Sequence, residues 1–209
     1  MDILISRILK YLNGCLDNDY LYKIGTFLVK NYTQMKCYTL QDMIEKGNFS
    51  KEDIIDFCHH FGYVSFDEFK DRLLIDQQVR LDEIALRMNQ ITIDKFLNHL
   101  EISTTQDEFL NLIDELCDFI FKCQRVVIIG SLYPSNVTVD FQTDLISFGK
   151  EIIEYHHFDN DFCFHKDDIA IFISATGRLL ERSAKNMIPQ NICEAEVVLI
   201  TQNIKYKTF

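Results

Sequence analysis

The apolar pattern of the chain changes character near residue 125, and that change limits what it can fold into. Up to about residue 123 the large apolar residues recur at intervals of three and four, the spacing of helices with one buried face. Beyond it, Val126-Val127-Ile128-Ile129, Ile169-Ala170-Ile171-Phe172-Ile173 and Val197-Val198-Leu199-Ile200 are short unbroken apolar runs, the mark of strands buried on both faces. Between the first two runs, residues 135–150 carry helical spacing at Val139, Leu145 and Ile146, and Glu151-Ile152-Ile153-Glu154-Tyr155 has the length of a further strand. Strand, helix, strand, strand, helix, strand is the order of a parallel sheet. The expected class is therefore α + α/β: an all-helical front, a helical connector and a short parallel-sheet domain. Two prolines and seven glycines in 209 residues leave little material for an all-β alternative.

Helix starts are marked in the front section. Thr39-Leu-Gln-Asp42, Ser50-Lys-Glu-Asp53, Ser65-Phe-Asp-Glu68 and Thr105-Gln-Asp-Glu108 each set a hydroxyl three residues before a carboxylate, the capping-box arrangement. The first two predict a helix over 39–46, a turn at Gly47-Asn48 and a helix over 50–60 with Ile54, Phe57, Cys58 and Phe61 at core spacing. That is a helix-turn-helix unit or, on spacing alone, two packed helices of an all-α domain. The fourth opens a helix with Phe109, Leu112, Ile113, Leu116, Phe119, Ile120 and Cys123 on one face, expected against the sheet or a second subunit.

Charge and cysteine usage narrow the function classes. Lys and Arg number 21 against 32 Asp and Glu, so the net charge of −11 repels polyanions and any nucleic-acid contact needs a locally basic surface. Seven cysteines without a Cys-x-x-Cys pair read as reduced thiols. With no signal-like start and no long apolar run, a cytoplasmic protein without membrane contact is expected. His59-His60, His156-His157 and His165 lie near Asp159, Asp161, Asp167 and Asp168, but adjacent histidines point different ways and no ligand spacing recurs, so neither metal nor cofactor is expected. No Walker loop, nucleophile elbow or dinucleotide fingerprint is present, and Glu181, the one carboxylate placed like a general base, reads more simply as a helix-start acid. The chain is not expected to be an enzyme.

Two regions together resemble a known family. The stretch from Tyr38 to Lys70, with its paired helices, the terminating Gly62 and the Phe66/Phe69 pair, is similar to the helix-turn-helix of the RpiR family of bacterial transcriptional regulators. Val126-Val-Ile-Ile-Gly130 and Asp167-Asp-Ile-Ala-Ile-Phe-Ile-Ser-Ala-Thr-Gly177 are similar to the two phosphosugar-binding segments of that family's sugar isomerase (SIS) domain. The resemblance implies a helix-turn-helix domain over 1–75, a connector over 76–104 and a truncated SIS-like domain over 105–209. It further implies operator DNA and a sugar phosphate effector as partners, in a homodimer or higher homo-oligomer. Thr39, Ser50, Lys51, Glu52, Asp53, Asp56, His59 and His60 would face DNA, and Gly130, Ser131, Ser135, Ser174, Thr176, Gly177 and Arg178 would hold the phosphosugar.

The departures from that pattern are chemical. Asp56, His59 and His60 stand where the family usually carries Arg or Lys, and Ser50 to His60 sums to −2. Leu132 and Pro134 replace a glycine and a serine of the first loop, and Leu179 a threonine of the second, where the Arg178 guanidinium offers compensation. The sequence stops nine residues after Ile200, so the sheet is expected to lack a strand whose open edge a second subunit covers. These departures keep two other classes in view: a protein-interaction module that has lost DNA and effector binding and, last in rank, a sugar-phosphate isomerase.

Overall fold

The computed structural model describes residues 3–90, 92–97, 105–130, 133–159, 162–177, 192–203 and 205. The front is helical throughout. Helix α1 (Leu4–Asn13) has no side-chain cap of its own; the Leu4 N–H donates instead to the carboxylate of Asp76, 72 residues away, at 2.6 Å. Helix α2 (Tyr20–Lys30) begins at Asp19, which accepts from the Tyr22 N–H at 2.7 Å, and a 3-10 segment follows over Tyr32–Cys37.

The four hydroxyl-led starts all form. Thr39 and Asp42 close a reciprocal box on α3 (Leu40–Gly47), and Ser50 accepts from the Asp53 N–H to open α4 (Lys51–His60). Ser65 opens α5 (Phe66–Gln90) by accepting from the Glu68 N–H, while the Glu68 carboxylate accepts from Val64. Thr105 and Glu108 box the start of α7 (Gln106–Lys122), after the short α6 (Ile93–Leu97). Helix α5 runs unbroken across residue 75, because from Phe66 to Gln90 it meets neither proline nor glycine.

The turn between α3 and α4 is tight for an identifiable reason. Asn48 takes the left-handed conformation at φ 55°, and the Phe49 ring folds over Gly47 so closely that a Cβ there would lie 2.2 Å from it. Helix α4 ends on Gly62 at φ 91°, with Gly62 donating to the His59 carbonyl and Tyr63 to the Cys58 carbonyl, the paired bonds of a Schellman cap.

Four parallel strands follow: β1 (Arg125–Ile129), β2 (Glu151–Glu154), β3 (Asp168–Ile173) and β4 (Glu196–Ile200), in the spatial order β2-β1-β3-β4. Helix α8 (Tyr133–Ser147) returns the chain from β1 to β2. It starts two residues before the expected Ser135, since Pro134 in a first turn has no N–H to lose, and it closes on Gly149 at φ 80° with the same paired bonds as α4. The class is the expected one, a helical front carrying a helix-turn-helix pair and a short parallel sheet behind it.

Alternate residues of the strands divide between two cores. Val126, Ile128, Ile152, Ile169 and Ile171 join one apolar cluster with Ile5, Ile8, Phe57, Phe69 and Leu73 of the front helices, while Val127, Ile129, Ala170 and Phe172 pack with Phe164 on the other face. Front and sheet therefore share one core. Polar links reinforce it: the Ser6 and Thr143 hydroxyls bond at 3.0 Å, and the buried Arg80 of α5 donates to Asp144 at 2.7 Å and to the side chain and carbonyl of Asp140, both on α8. Helix α7 is the exception. Leu116, Phe119, Ile120 and Cys123 rest on the core, but Leu112 stays 59% exposed, and no residue of the helix is buried.

Two substitutions test these constraints. Gly62→Ala meets open space but keeps the left-handed backbone, so it is expected to cost about 1–2 kcal/mol in urea unfolding through backbone strain alone. Arg80→Met removes the cation between Asp140 and Asp144 and is expected to cost about 2 kcal/mol, less than a fully buried pair because Arg87 still bridges Asp144.

Candidate functional site

Helix α4 stands with one face in the core and the other in solvent. Ile54, Phe57 and Cys58 are buried, Phe57 meeting the Phe61 and Phe69 rings at 4.9 and 5.7 Å. Lys51, Glu52, Asp56, His59 and His60 are exposed and Asp53 half-buried, so the residues expected to face DNA share one surface. Thr39 and Ser50 are also exposed, but their hydroxyls accept from the Asp42 and Asp53 amides as helix caps. His60 packs edge-on against Tyr11 of α1 at 5.0 Å.

Three basic groups on the neighbouring helices α1, α3 and α5 have internal partners. Arg7 donates to the Phe61 carbonyl at 2.8 Å, at the end of α4, and Lys70 donates to the Tyr38 carbonyl. Lys46 pairs with Asp42 at 3.0 Å over the Tyr38 ring, and the bonds from the Thr39 hydroxyl and amide, helped by Lys46, hold the Asp42 carboxyl well below the usual carboxylate range. The accessible charge of α4 is therefore the acidic one written in its sequence.

The second group of expected residues lies at the carboxyl ends of β1 and β3. The chain leaves β1 toward β2 on one side, while β3 and β4 lie on the other, so β1 and β3 flank the reversal of strand order, where open α/β sheets place their ligand crevice. Gly130 follows β1 there, and Ser174, Thr176 and Gly177 follow β3. Gly177 holds φ 74° and donates to the Ser174 carbonyl, closing a turn whose outer residues Ala175 and Thr176 are exposed. The end of β4 anchors this turn, Thr201 and Gln202 donating to the Ala175 carbonyl and Asn203 to that of Thr176. Ser131 and Arg178 lie outside the described residues, as do Leu132, Leu179 and Glu181 and the side chain of Ser135, which sits in the first turn of α8.

A third feature was not expected. A cavity of about 450 Å³ opens where α1, α2 and α8 meet β2 and the segment after it. Gln142, fully buried, accepts from the Asn13 side-chain amide at 2.7 Å, and its own Nε2 has no partner. His156 bonds the Leu12 carbonyl and lies edge-on to Tyr22 at 5.6 Å. The available signal was the placement of Gln142 and Thr143 on the Val139–Ile146 stripe of α8, polar side chains where helical spacing calls for apolar ones. Among the described residues no group of three or more His, Cys, Asp or Glu is arranged to hold a metal ion, and no helix is long and apolar enough to cross a membrane.

Burial holds His156 below its ordinary pKa, and neighbouring His157 adds to that, against the Leu12 bond and Asp159. A histidine with a depressed folded pKa binds protons more readily when unfolded, so stability rises with pH and falls as pH drops below about 6.5 toward the folded value. His156→Gln is expected to flatten the change in urea midpoint between about pH 7.5 and 5.5, a window above most carboxylate titrations.

No protein-family model matches the chain, and no curated protein matches it in sequence. Among solved structures it is similar to the Vibrio vulnificus NanR protein complexed with ManNAc-6P, at 14% identity and a TM-score of 0.37, covering 95% of this chain and 73% of that one.

Proposed function

We propose that the chain is a DNA-binding regulator of the RpiR type, whose α3–α4 pair reads an operator and whose strand-end loops take a sugar phosphate. The reading assigns DNA contact to residues 1–75 and effector contact to 105–209, joined through 76–104, in a homodimer that presents two copies of α4 to paired half-sites. The observation that carries it is α4 itself: a helix capped at both ends, set by a tight turn from α3, with a continuous exposed face from Lys51 to His60. The resemblance of Tyr38–Lys70 supports the same assignment, and the position of Gly130, Ser174, Thr176 and Gly177 at the β1/β3 reversal supports the effector site. Effector control is then linkage: a ligand that binds one arrangement of the dimer more tightly shifts the spacing of the two α4 helices.

One observation favours a second reading, an interaction module that binds protein instead of DNA. The exposed face of α4 carries Glu52, Asp53 and Asp56 against Lys51, while Arg7, Lys46 and Lys70 are held by internal partners. Such a face repels phosphates and suits a basic protein surface.

A titration of the duplex upstream of the protein's own gene against a scrambled duplex, at low and physiological salt, separates the two. The regulator reading expects a preference of roughly 10³-fold or more that persists at physiological salt. Absence of binding at both salts overturns it in favour of the interaction module. Operator affinity that stays constant across a panel of sugar phosphates removes the sensing half alone.

A further inference from the structure

Helix α7 carries apolar side chains that its own core does not take up. Leu116, Phe119, Ile120 and Cys123 rest on the core, whereas Ile113, Cys117 and Phe121, at intervals of four, form a row along the flank beside that contact. Ile113 is 39% and Phe121 83% exposed, with the exposed Cys117 between them, and the row runs about 12 Å along the helix axis. Lys150 closes the carboxyl end of α7, donating to the Phe121 and Cys123 carbonyls at 3.2 and 2.7 Å, and Phe148, 65% exposed, precedes it by two residues. Single exposed apolar residues are ordinary on a surface, but a row at helical spacing is the form a helix presents to a partner.

The charges beside the row say which partner fits. On its outer side stand Asp107, Asp114 and Asp118, at intervals of seven and four and all exposed. The macrodipole accounts for Asp107 in the first turn, but not for Asp114 and Asp118 farther along. Lys122, the one basic residue of α7, pairs with Asp118 at 2.9 Å across a surface where both side chains are 69% exposed, so it offsets little of the acidic edge. An apolar row with carboxylates along one side is complementary to an amphipathic helix whose apolar residues recur at three and four and whose adjoining face carries Lys or Arg. A second copy of this chain fits poorly. Two-fold pairing of α7 with itself sets one acidic row beside the other, and the exposed face of α4 is acidic as well. Nucleic acid meets the same repulsion.

We propose that the flank of α7 formed by Ile113, Cys117 and Phe121, with Asp107, Asp114 and Asp118 beside it, is a docking surface for a basic amphipathic helix of another protein. The surface is separate from the α4 face and from the strand-end loops, and it stands whether or not the assignments of DNA and sugar phosphate to those sites do.

The test titrates the full chain, by fluorescence anisotropy, into a labelled amphipathic peptide of about 15 residues with Leu at helical spacing and Lys on its polar face. Two comparison peptides carry the same residues in scrambled order, or Glu in place of Lys. The Lys peptide is expected to bind with a Kd of about 100 μM or tighter, and both comparison peptides at least about tenfold more weakly. Phe121→Ser, which removes an exposed ring, and the double variant Asp114→Lys with Asp118→Lys are each expected to lose at least about tenfold in affinity for the Lys peptide. Asp71→Lys with Asp82→Lys makes the same change of charge on exposed positions of α5 and is expected to stay within about twofold of the unaltered chain. No binding of the Lys peptide overturns the proposal, as does equal binding of the scrambled peptide, which is charge attraction alone. So does affinity that the α7 variants leave intact or that the α5 variant lowers as much. Light scattering covers the remaining occupant: the oligomeric state is expected to be the same with and without Phe121→Ser, and a dimer that this substitution dissociates gives the surface to a second copy and overturns the proposal.

Discussion

The stacking of α1 between the front helices and α8 is the contact on which the rest of the structure depends. One face of this ten-residue helix puts Leu4, Ile5, Ile8, Leu9 and Leu12 into the shared core. Its polar residues then fix its position from three sides. The Leu4 N–H meets Asp76 of α5, Ser6 meets Thr143 of α8, and Arg7 reaches the carbonyl of Phe61 at the end of α4. An amphipathic helix this short gains little from its own backbone propensity, so its stability comes from that packing. A buried helix start without a side-chain cap also needs an external acceptor, and Asp76 supplies it. The consequence is that the front cannot be displaced from the sheet without exposing the core of both.

Much of this was legible in the residues because local rules sufficed. Capping hydroxyls located the starts of α3, α4, α5 and α7, Gly62 located the end of α4, and three unbroken apolar runs located β1, β3 and β4. What local rules omit is contact between segments far apart in sequence. Arg80 reads as one more exposed charge on a connector helix until α8 brings Asp140 and Asp144 opposite it, 60 and 64 residues later. Asp76 likewise carries no mark of its partner at Leu4. The cavity has no local mark for the same reason: Asn13, Tyr22, Gln142 and His156 are polar residues without a motif until four elements converge on them.

The electrostatics of α4 follow from fold requirements as much as from sequence. Glu52 and Asp53 sit in a helix first turn, where the macrodipole favours negative charge, and His59 and His60 sit in its last turn, where it favours positive charge. The helix is thus charged in the order that stabilises it as a helix. Contact with DNA has the opposite requirement at the amino end, where phosphates prefer a free helix N-terminus without carboxylates beside it. The same residues therefore raise the stability of α4 and lower its affinity for a polyanion, so that the proposed reading of DNA requires base-edge contacts rather than bulk attraction.

The position of α1 also limits how the parts of the molecule can influence one another. At its start it holds α5, at Arg7 it holds the end of α4, and at Asn13 it forms a wall of the cavity with Gln142. Allosteric coupling requires an element with two arrangements whose balance both sites bias. Asn13 lies six positions after Arg7 on the same straight helix, about 9 Å along its axis at 1.5 Å per residue. A shift of α1 as a rigid rod therefore moves the cavity wall and the Arg7–Phe61 contact together. The strand-end turn at Ser174–Gly177 is instead tied to β4 through Thr201, Gln202 and Asn203, with no hydrogen bond to α1 among those described. The strand-end turn therefore belongs to the sheet, whereas Asn13 belongs to the helix whose Arg7 touches the end of α4 directly.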